Sequence, residues 1–520
     1  MIKRIIVISL FTSQLLIAQK KAPDNWILKH PKIDDAYGTG ATQAYQKLKD
    51  KKSKTVIVAV IDSGVDTEHE DLKDIIWVNQ KEIPNNSIDD DKNGYIDDVN
   101  GWSFIGGANG DINYEASELA RLYHKMSKKF ASLDTNKLND ADAKEFTEYK
   151  KIKGDYSKKL NENEQQLEQI GFVYDFVVKV KEKNNGTLNK DAVKNYIPEN
   201  KKEVKLKKFL QLGFTLGMKP NELESELKKG KDYLYNAVKY DKLNTDSIRA
   251  VTIGDDVNNM NERYYGCNRV KGPDALHGTH VSGIIAAINN NNKGIDGIAT
   301  NVKIMPIRAV PNGDERDKDI ANAIRYAVDN GASIINMSFG KYYSPNKKLV
   351  DEAVEYAKSK DVLLIHAAGN ESKNVDSTRT YPCRELTNTI TASNWIEVGA
   401  HGYKKGKRIL GSFSNYGKSR VDIFAPGVDI LSTVPDNKYI EESGTSMAAP
   451  STAGVAAILR GYFPELKAED IKTVLIKTAV PYKKKVIIPG TKKKTKMNNL
   501  CVAGGFISAE NAVNELLKSK

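Results

Sequence analysis

Residues 55–64 read TVIVAVIDSG. The run is apolar and largely β-branched without polar alternation, the pattern of a strand buried on both faces. It ends in Asp62-Ser63-Gly64, turn residues that stop the strand and leave a carboxylate at its C-terminal end. Similar apolar runs recur at 302–307, 333–337 and 362–367, and helical stretches at 319–330 and 349–358 alternate with them. Strand and helix in alternation predict an α/β fold: a mainly parallel sheet with helices on both faces.

Outward from this core the pattern breaks once. From 113 to 248 the chain is rich in Lys, Glu, Asn and Leu. Tyr114, Leu119, Leu122, Met126 and Phe130 recur at helical spacing, as do Phe146, Tyr149, Ile152, Tyr156, Leu160 and Leu167. Such stripes pack helices against one another. The expected organisation is a discontinuous domain, 19–112 with 249–520, carrying an inserted α-helical subdomain at 113–248. No solenoid repeat and no long Pro- or Gly-rich linker is present.

The first eighteen residues have a different use. Lys3 and Arg4 precede a mostly apolar stretch, and Ala18 precedes polar Gln19. This is the layout of a secretory signal peptide, so export to the periplasm, the medium or the cell surface is expected. No later segment is long and apolar enough to span a bilayer, and a soluble mature protein is expected. The +12 formal charge arises from lysines spread along the chain and reads as a solvated surface. No interleaved basic and aromatic patch supports nucleic-acid binding. Cys267, Cys383 and Cys501 show no metal-ligand spacing; export permits one disulfide and leaves one thiol over.

The chemistry concentrates in four segments. Asp62-Ser63-Gly64 ends a strand. His277-Gly278-Thr279-His280 opens an apolar helix, and Gly444-Thr445-Ser446-Met447-Ala448-Ala449-Pro450 opens another. Ala367-Ala368-Gly369-Asn370 follows the strand at 362–365. A serine hydroxyl becomes a nucleophile when an imidazole can take its proton, and a carboxylate holds that imidazole's tautomer. A side-chain amide nearby can donate to a developing oxyanion. Each segment alone has a plain alternative. Asp-Ser-Gly is a common turn and Gly-Thr-Ser a helix cap. His277 and His280 have a spacing open to zinc, although the Glu partner of a zinc-protease helix motif is missing.

In the order Asp, His, Ser, the segments resemble the three signatures of the subtilisin-like (subtilase, S8) serine proteases. The resemblance covers about 40–110 and 250–515. It implies a subtilisin-like three-layer fold, a triad of Asp62, His277 and Ser446, and Asn370 in the oxyanion hole. It further implies that Ser338, Phe339 and Gly340 bind the substrate backbone as an added strand. Ala367, Ala368 and Gly369 would form one wall of the S1 pocket. Gly505-Phe506-Ile507-Ser508-Ala509 is similar to the family's closing motif, with Ser508 where asparagine is usual. The chain departs from the family in two ways. The long span between Asp62 and His277 is accounted for by the insertion. Residues 19–61 are too few for the usual N-terminal chaperone propeptide.

Calcium is the expected cofactor, and no organic one is expected. Residues 89–98, DDDKNGYIDD, set Asp89, Asp91, Asn93 and Asp97 at positions 1, 3, 5 and 9 around a glycine at 6. This is the opening of an EF-hand-type loop, with Asn100 where the bidentate glutamate would stand. The family resemblance adds Asp71 and Asn290 as a second structural calcium site, on a loop one residue longer than usual. The leading functional expectation is an exported endopeptidase acting on polypeptide. An inactive, peptide-binding relative is the alternative from another class, and the presence of all three triad side chains and Asn370 argues against it.

Overall fold

The computed structural model describes residues 22–134, 137–387 and 390–518. The expected signal peptide, 1–18, lies outside them. The described chain forms two compact units, 23–113 with 246–520 and 114–245.

The larger unit is built on a sheet whose strands are β1 (Val56–Asp62), β2 (Trp102–Ser103), β3 (Val302–Arg308), β4 (Ile334–Met337), β5 (Leu363–Ala367), β6 (Trp395–His401), β7 (Ile423–Pro426), β8 (Val480–Pro481) and β9 (Gly505–Phe506). Their spatial order is β8-β9-β7-β6-β5-β4-β1-β3-β2. Every pairing is parallel except β8 with β9. The run that opened the sequence reading is therefore an interior strand, with Val58 beside both Ile304 and Ile334. That position explains its lack of alternation, because both of its faces are buried.

Alternate side chains divide between the faces. Ala59, Ile61, Met305, Ile307, Ile335 and Met337 join one apolar cluster with residues of helices spanning Asp317–Asp329 and Lys347–Ser359. Val58, Val60, Ile304 and Ile334 are fully buried on the other side of the pleat. Helix α1 (Leu276–Ala286) and helix α2 (Thr445–Tyr462) pack together and against the strands. Ala448, Ala449, Ala453 and Ala456 are fully buried, which is how α2 runs close to the sheet.

The unit 114–245 is helical, with a 43-residue helix Asp140–Glu182 about 65 Å long. Asn139 caps it by accepting from the Asp142 amide. Leu119, Met126, Phe130, Ile152 and Tyr156 from the expected stripes are buried, and Tyr123 stacks on Tyr156 at 4.1 Å. A second cluster is built on Ile170, Val173, Phe176, Val177 and Val180 with Leu210, Leu223 and Leu227. Cys267, Cys383 and Cys501 are free thiols. No helix among the described residues is long and apolar enough to cross a membrane.

Candidate active site

The C-terminal ends of the parallel strands carry the candidate groups, as open α/β sheets dispose their sites. Asp62 ends β1, and its carboxylate is nearly fully buried. His277 stands in the first turn of α1, with Nδ1 2.8 Å from Asp62 Oδ1 and 3.0 Å from Oδ2. The Ser63 amide also donates to Oδ1, at 2.7 Å. Gly278 makes the pairing possible. A Cβ there would lie 2.2 Å from the Gly64 carbonyl oxygen and 3.0 Å from Asp62 Cβ, so only glycine lets α1 approach the end of β1. Burial works against the charged imidazole of His277, but the Asp62 carboxylate outweighs it and holds its pKa above the ordinary 6.5.

His280, one turn along, faces different neighbours. Its Nε2 lies 3.1 Å from the Ile430 carbonyl and 3.2 Å from that of Ile440, and burial lowers its pKa to about 4. The two histidines thus serve a carboxylate and two backbone carbonyls, not a shared metal.

Ser446 lies in the first turn of α2, and its hydroxyl donates to the Ser338 carbonyl at 3.2 Å. Pro450 explains part of the local design. It has no N–H to offer the Ser446 carbonyl four residues back. The Ser338 hydroxyl donates to that carbonyl instead, at 3.0 Å, and accepts from Asn336 Nδ2 at 2.9 Å. The segment after β4 is thereby tied to the start of α2.

Asn370 is oriented by Thr445. Its Oδ1 accepts from the Thr445 amide at 2.9 Å and from the Thr445 hydroxyl at 3.0 Å, which leaves Nδ2 as donor on the side of Gly444. The Gly369 amide donates to Thr445 Oγ1 at 3.1 Å. Gly369 has φ +99°, a conformation that favours glycine, and a Cβ there would meet Asn415 Nδ2 at 2.4 Å. Buried Asn415 braces this loop, donating to the Ala368 carbonyl and accepting from the Glu371 and Lys373 amides. Nothing in the sequence pattern marks Asn415 or assigns Thr445 this role.

Ser338, Phe339, Gly340, Ala367, Ala368 and Gly369 line a cavity of about 210 Å³ together with Asn370 and Ser446, and His277 and Asp62 are not part of its lining. An imidazole fixed by a buried carboxylate can act as a base. A hydroxyl at a helix start beside a free amide donor is placed for attack on a carbonyl whose oxygen that amide can receive.

In the acidic loop Glu82 lies close to two of the expected residues. Glu82, Asp89 and Asp91 each offer a carboxylate oxygen, all within 4.8 Å of one another. Glu82 is held by the Asp91 and Asp97 amides. Asp97 instead accepts from the Asn86 and Ser87 amides, and Asn93 Oδ1 from the Tyr95 amide. An oxygen-only group of three carboxylates fits a calcium ion. At the second expected site, Asp71 and Asn290 have different partners. Asn291, not Asn290, donates to Asp71, and the Tyr439 hydroxyl donates to its other oxygen at 3.2 Å. Asn290 donates its backbone N–H to Asp296.

A family model described as the subtilase family matches residues 53–504, and the chain belongs to that family. The thermophilic serine proteinase of Bacillus sp. (strain AK1) is 46% identical over 185 residues, which are 35% of this chain and 42% of that protein. The cell wall-associated protease of Bacillus subtilis (strain 168) is 35% identical over 222 residues, 42% of this chain and 23% of its own length. Subtilisin DY of Bacillus licheniformis is 35% identical over 205 residues, 39% of this chain and 70% of that protein. The chain spans less than half the length of the first two.

Proposed function

We propose that this chain is an exported serine endopeptidase that hydrolyses polypeptide through Ser446, His277 and Asp62. The observation that carries the reading is the 2.8 Å pairing of His277 with buried Asp62 in a subtilase chain whose Ser446 and Asn370 line one cavity. In this reading His277 Nε2 takes the Ser446 proton as Oγ attacks the scissile carbonyl carbon. The oxyanion receives Asn370 Nδ2, held in place by Thr445. The C–N bond then breaks, the imidazolium returns its proton to the leaving amine, and water repeats the sequence on the acyl-enzyme. Asp62 keeps Nδ1 protonated throughout. Residues 338–340 pair with the extended substrate backbone, and 367–369 wall the P1 side chain. Residues 1–18 direct export, and Glu82, Asp89 and Asp91 hold a structural calcium ion.

Labelling with a fluorophosphonate tests the core of this reading. Ser446 is expected to be the labelled residue, and Ser446→Ala to abolish both labelling and casein cleavage. Parental casein digestion by the alanine variant refutes the assignment.

A further inference from the structure

The cavity beside Ser446 is not lined by apolar groups and backbone alone. His366 on β5 also lines it and is 1% exposed. Its Nδ1 pairs with Glu397 on the adjacent strand, 2.9 Å from Oε1, and the Trp395 indole N–H donates to Glu397 Oε2. Nε2, by contrast, is buried with the Phe339 backbone near it and no hydrogen bond of good geometry among the described residues. It lies beneath Gly340, where a Cβ would stand 3.6 Å from it. The Phe339 and Trp395 rings flank the imidazole. Other polar groups of the lining are engaged elsewhere. Lys341 Nζ is bound to the Glu315 carbonyl and to Asp317, and Glu371 Oε2 accepts from Asn415.

A buried imidazole nitrogen left unpaired is costly unless something arrives to pair with it. Burial disfavours its charged form and Glu397 favours it, with the balance above the ordinary pKa. With Nδ1 held by Glu397, Nε2 is an acceptor when the ring is neutral and a donor when it is charged. A primary amide matches both states, since its oxygen accepts and its nitrogen donates. A carboxylate matches only the donor and meets Glu371 in the same lining. A side-chain ammonium matches only the acceptor.

We propose that His366 is a specificity-determining residue of the S1 pocket, reading through Nε2 the terminal amide of a glutamine at P1. The inference rests on the protease reading above and adds the substrate class to it.

Peptides identical except at P1 test it, with glutamine compared against methionine, glutamate and lysine. Methionine has the same length and no amide. The parent is expected to cleave the glutamine peptide with kcat/KM about tenfold above the methionine peptide, because a site built around a hydrogen bond rejects a partner that lacks one. His366→Leu should reverse that ratio while still cleaving the methionine peptide. Its Glu397 is left without the imidazole, so Gly340→Ala serves as the second variant. The new Cβ meets the Tyr381 carbonyl at 3.3 Å and Nε2 at 3.6 Å, and the glutamine-to-methionine ratio should fall several-fold. A parent that prefers methionine, glutamate or lysine to glutamine overturns the inference and leaves the protease reading standing. So does an unchanged ratio in Gly340→Ala. No cleavage of any peptide together with no fluorophosphonate labelling overturns both.

Discussion

Gly278→Ala places one methyl group between the two elements that join His277 to Asp62. The added Cβ would lie 2.2 Å from the Gly64 carbonyl oxygen, 3.1 Å from the Gly64 carbonyl carbon and 3.0 Å from Asp62 Cβ. The first contact is short of an ordinary carbon–oxygen separation by about 1 Å. None of these atoms is the loose end of a side chain, so α1 itself must move away from the end of β1. His277 is the preceding residue, and its 2.8 Å contact with Asp62 opens by a comparable amount. A displacement of about 1 Å at a reacting group costs on the order of 10²-fold in rate. Two effects on stability oppose one another. Alanine gains about 1 kcal/mol of helix propensity over glycine, and overpacking costs roughly 1–3 kcal/mol. The variant should therefore remain folded, with a Tm equal to or slightly below the parent's, and lose about 10²-fold in kcat/KM. The assay is kcat/KM on one peptide from pH 5 to 9, beside a thermal melt. Parental kcat/KM with an unchanged pH profile would refute the argument that close approach of α1 to β1 sets the His277–Asp62 pairing.

Four further outcomes are expected. In the proposed triad His277 is the base when neutral, and its raised pKa places the acid limb of kcat/KM above pH 6.5; Asp62→Asn should move the limb to lower pH and cut kcat by ~10⁴-fold, and a limb that stays in place counts against the pairing. Thr445→Val removes the hydroxyl that fixes Asn370 Oδ1, and about a tenfold fall in kcat with little change in KM is expected; an effect confined to KM detaches Asn370 from the oxyanion. His401 is fully buried with a pKa lowered to about 4, so from pH 6.5 down to 4 the unfolded chain takes up a proton that the folded chain refuses. Its neutral burial stabilises the fold above pH 6.5 and is lost below, so between pH 7 and pH 4 His401→Leu should gain roughly 3 kcal/mol relative to the parent in urea unfolding, and a pH-independent difference argues against this. Chelation should lower Tm, added calcium should restore it, and Glu82→Gln should blunt the response; a parental response from that variant removes Glu82 from the site.

Legibility in the sequence followed the range over which each side chain finds its partner. Asp62, His277, Ser446 and Asn370 stand out as candidates because each lies in a short segment with its own local logic: a strand end, a helix start, a glycine that allows close approach. The parallel sheet could be read from runs too apolar to be exposed on either face. Glu82 carries no such signal, because it precedes the acidic loop and joins it through the Asp91 and Asp97 amides. Asn290 and Asn292 both adopt left-handed backbone, and the turn they make brings Asn291 to Asp71, a pairing that sequence spacing does not give. Arg249, Asp255 and Asp319 look like surface charges in sequence, yet they form a fully buried ion-pair group.

Two kinds of contact build the site. Pro450 denies the Ser446 carbonyl its helical partner, Ser338 supplies the replacement, and Thr445 fixes Asn370. Each of those contacts involves a residue of the segment that opens α2, so a chain that keeps the segment keeps the geometry. His366 and Glu397 meet only through the register of two neighbouring strands, and neither belongs to a segment with a local signature. The groups that would break a peptide bond are thus written in local sequence. The group that would choose which bond is set by strand pairing, and it becomes visible only when β5 and β6 are laid side by side.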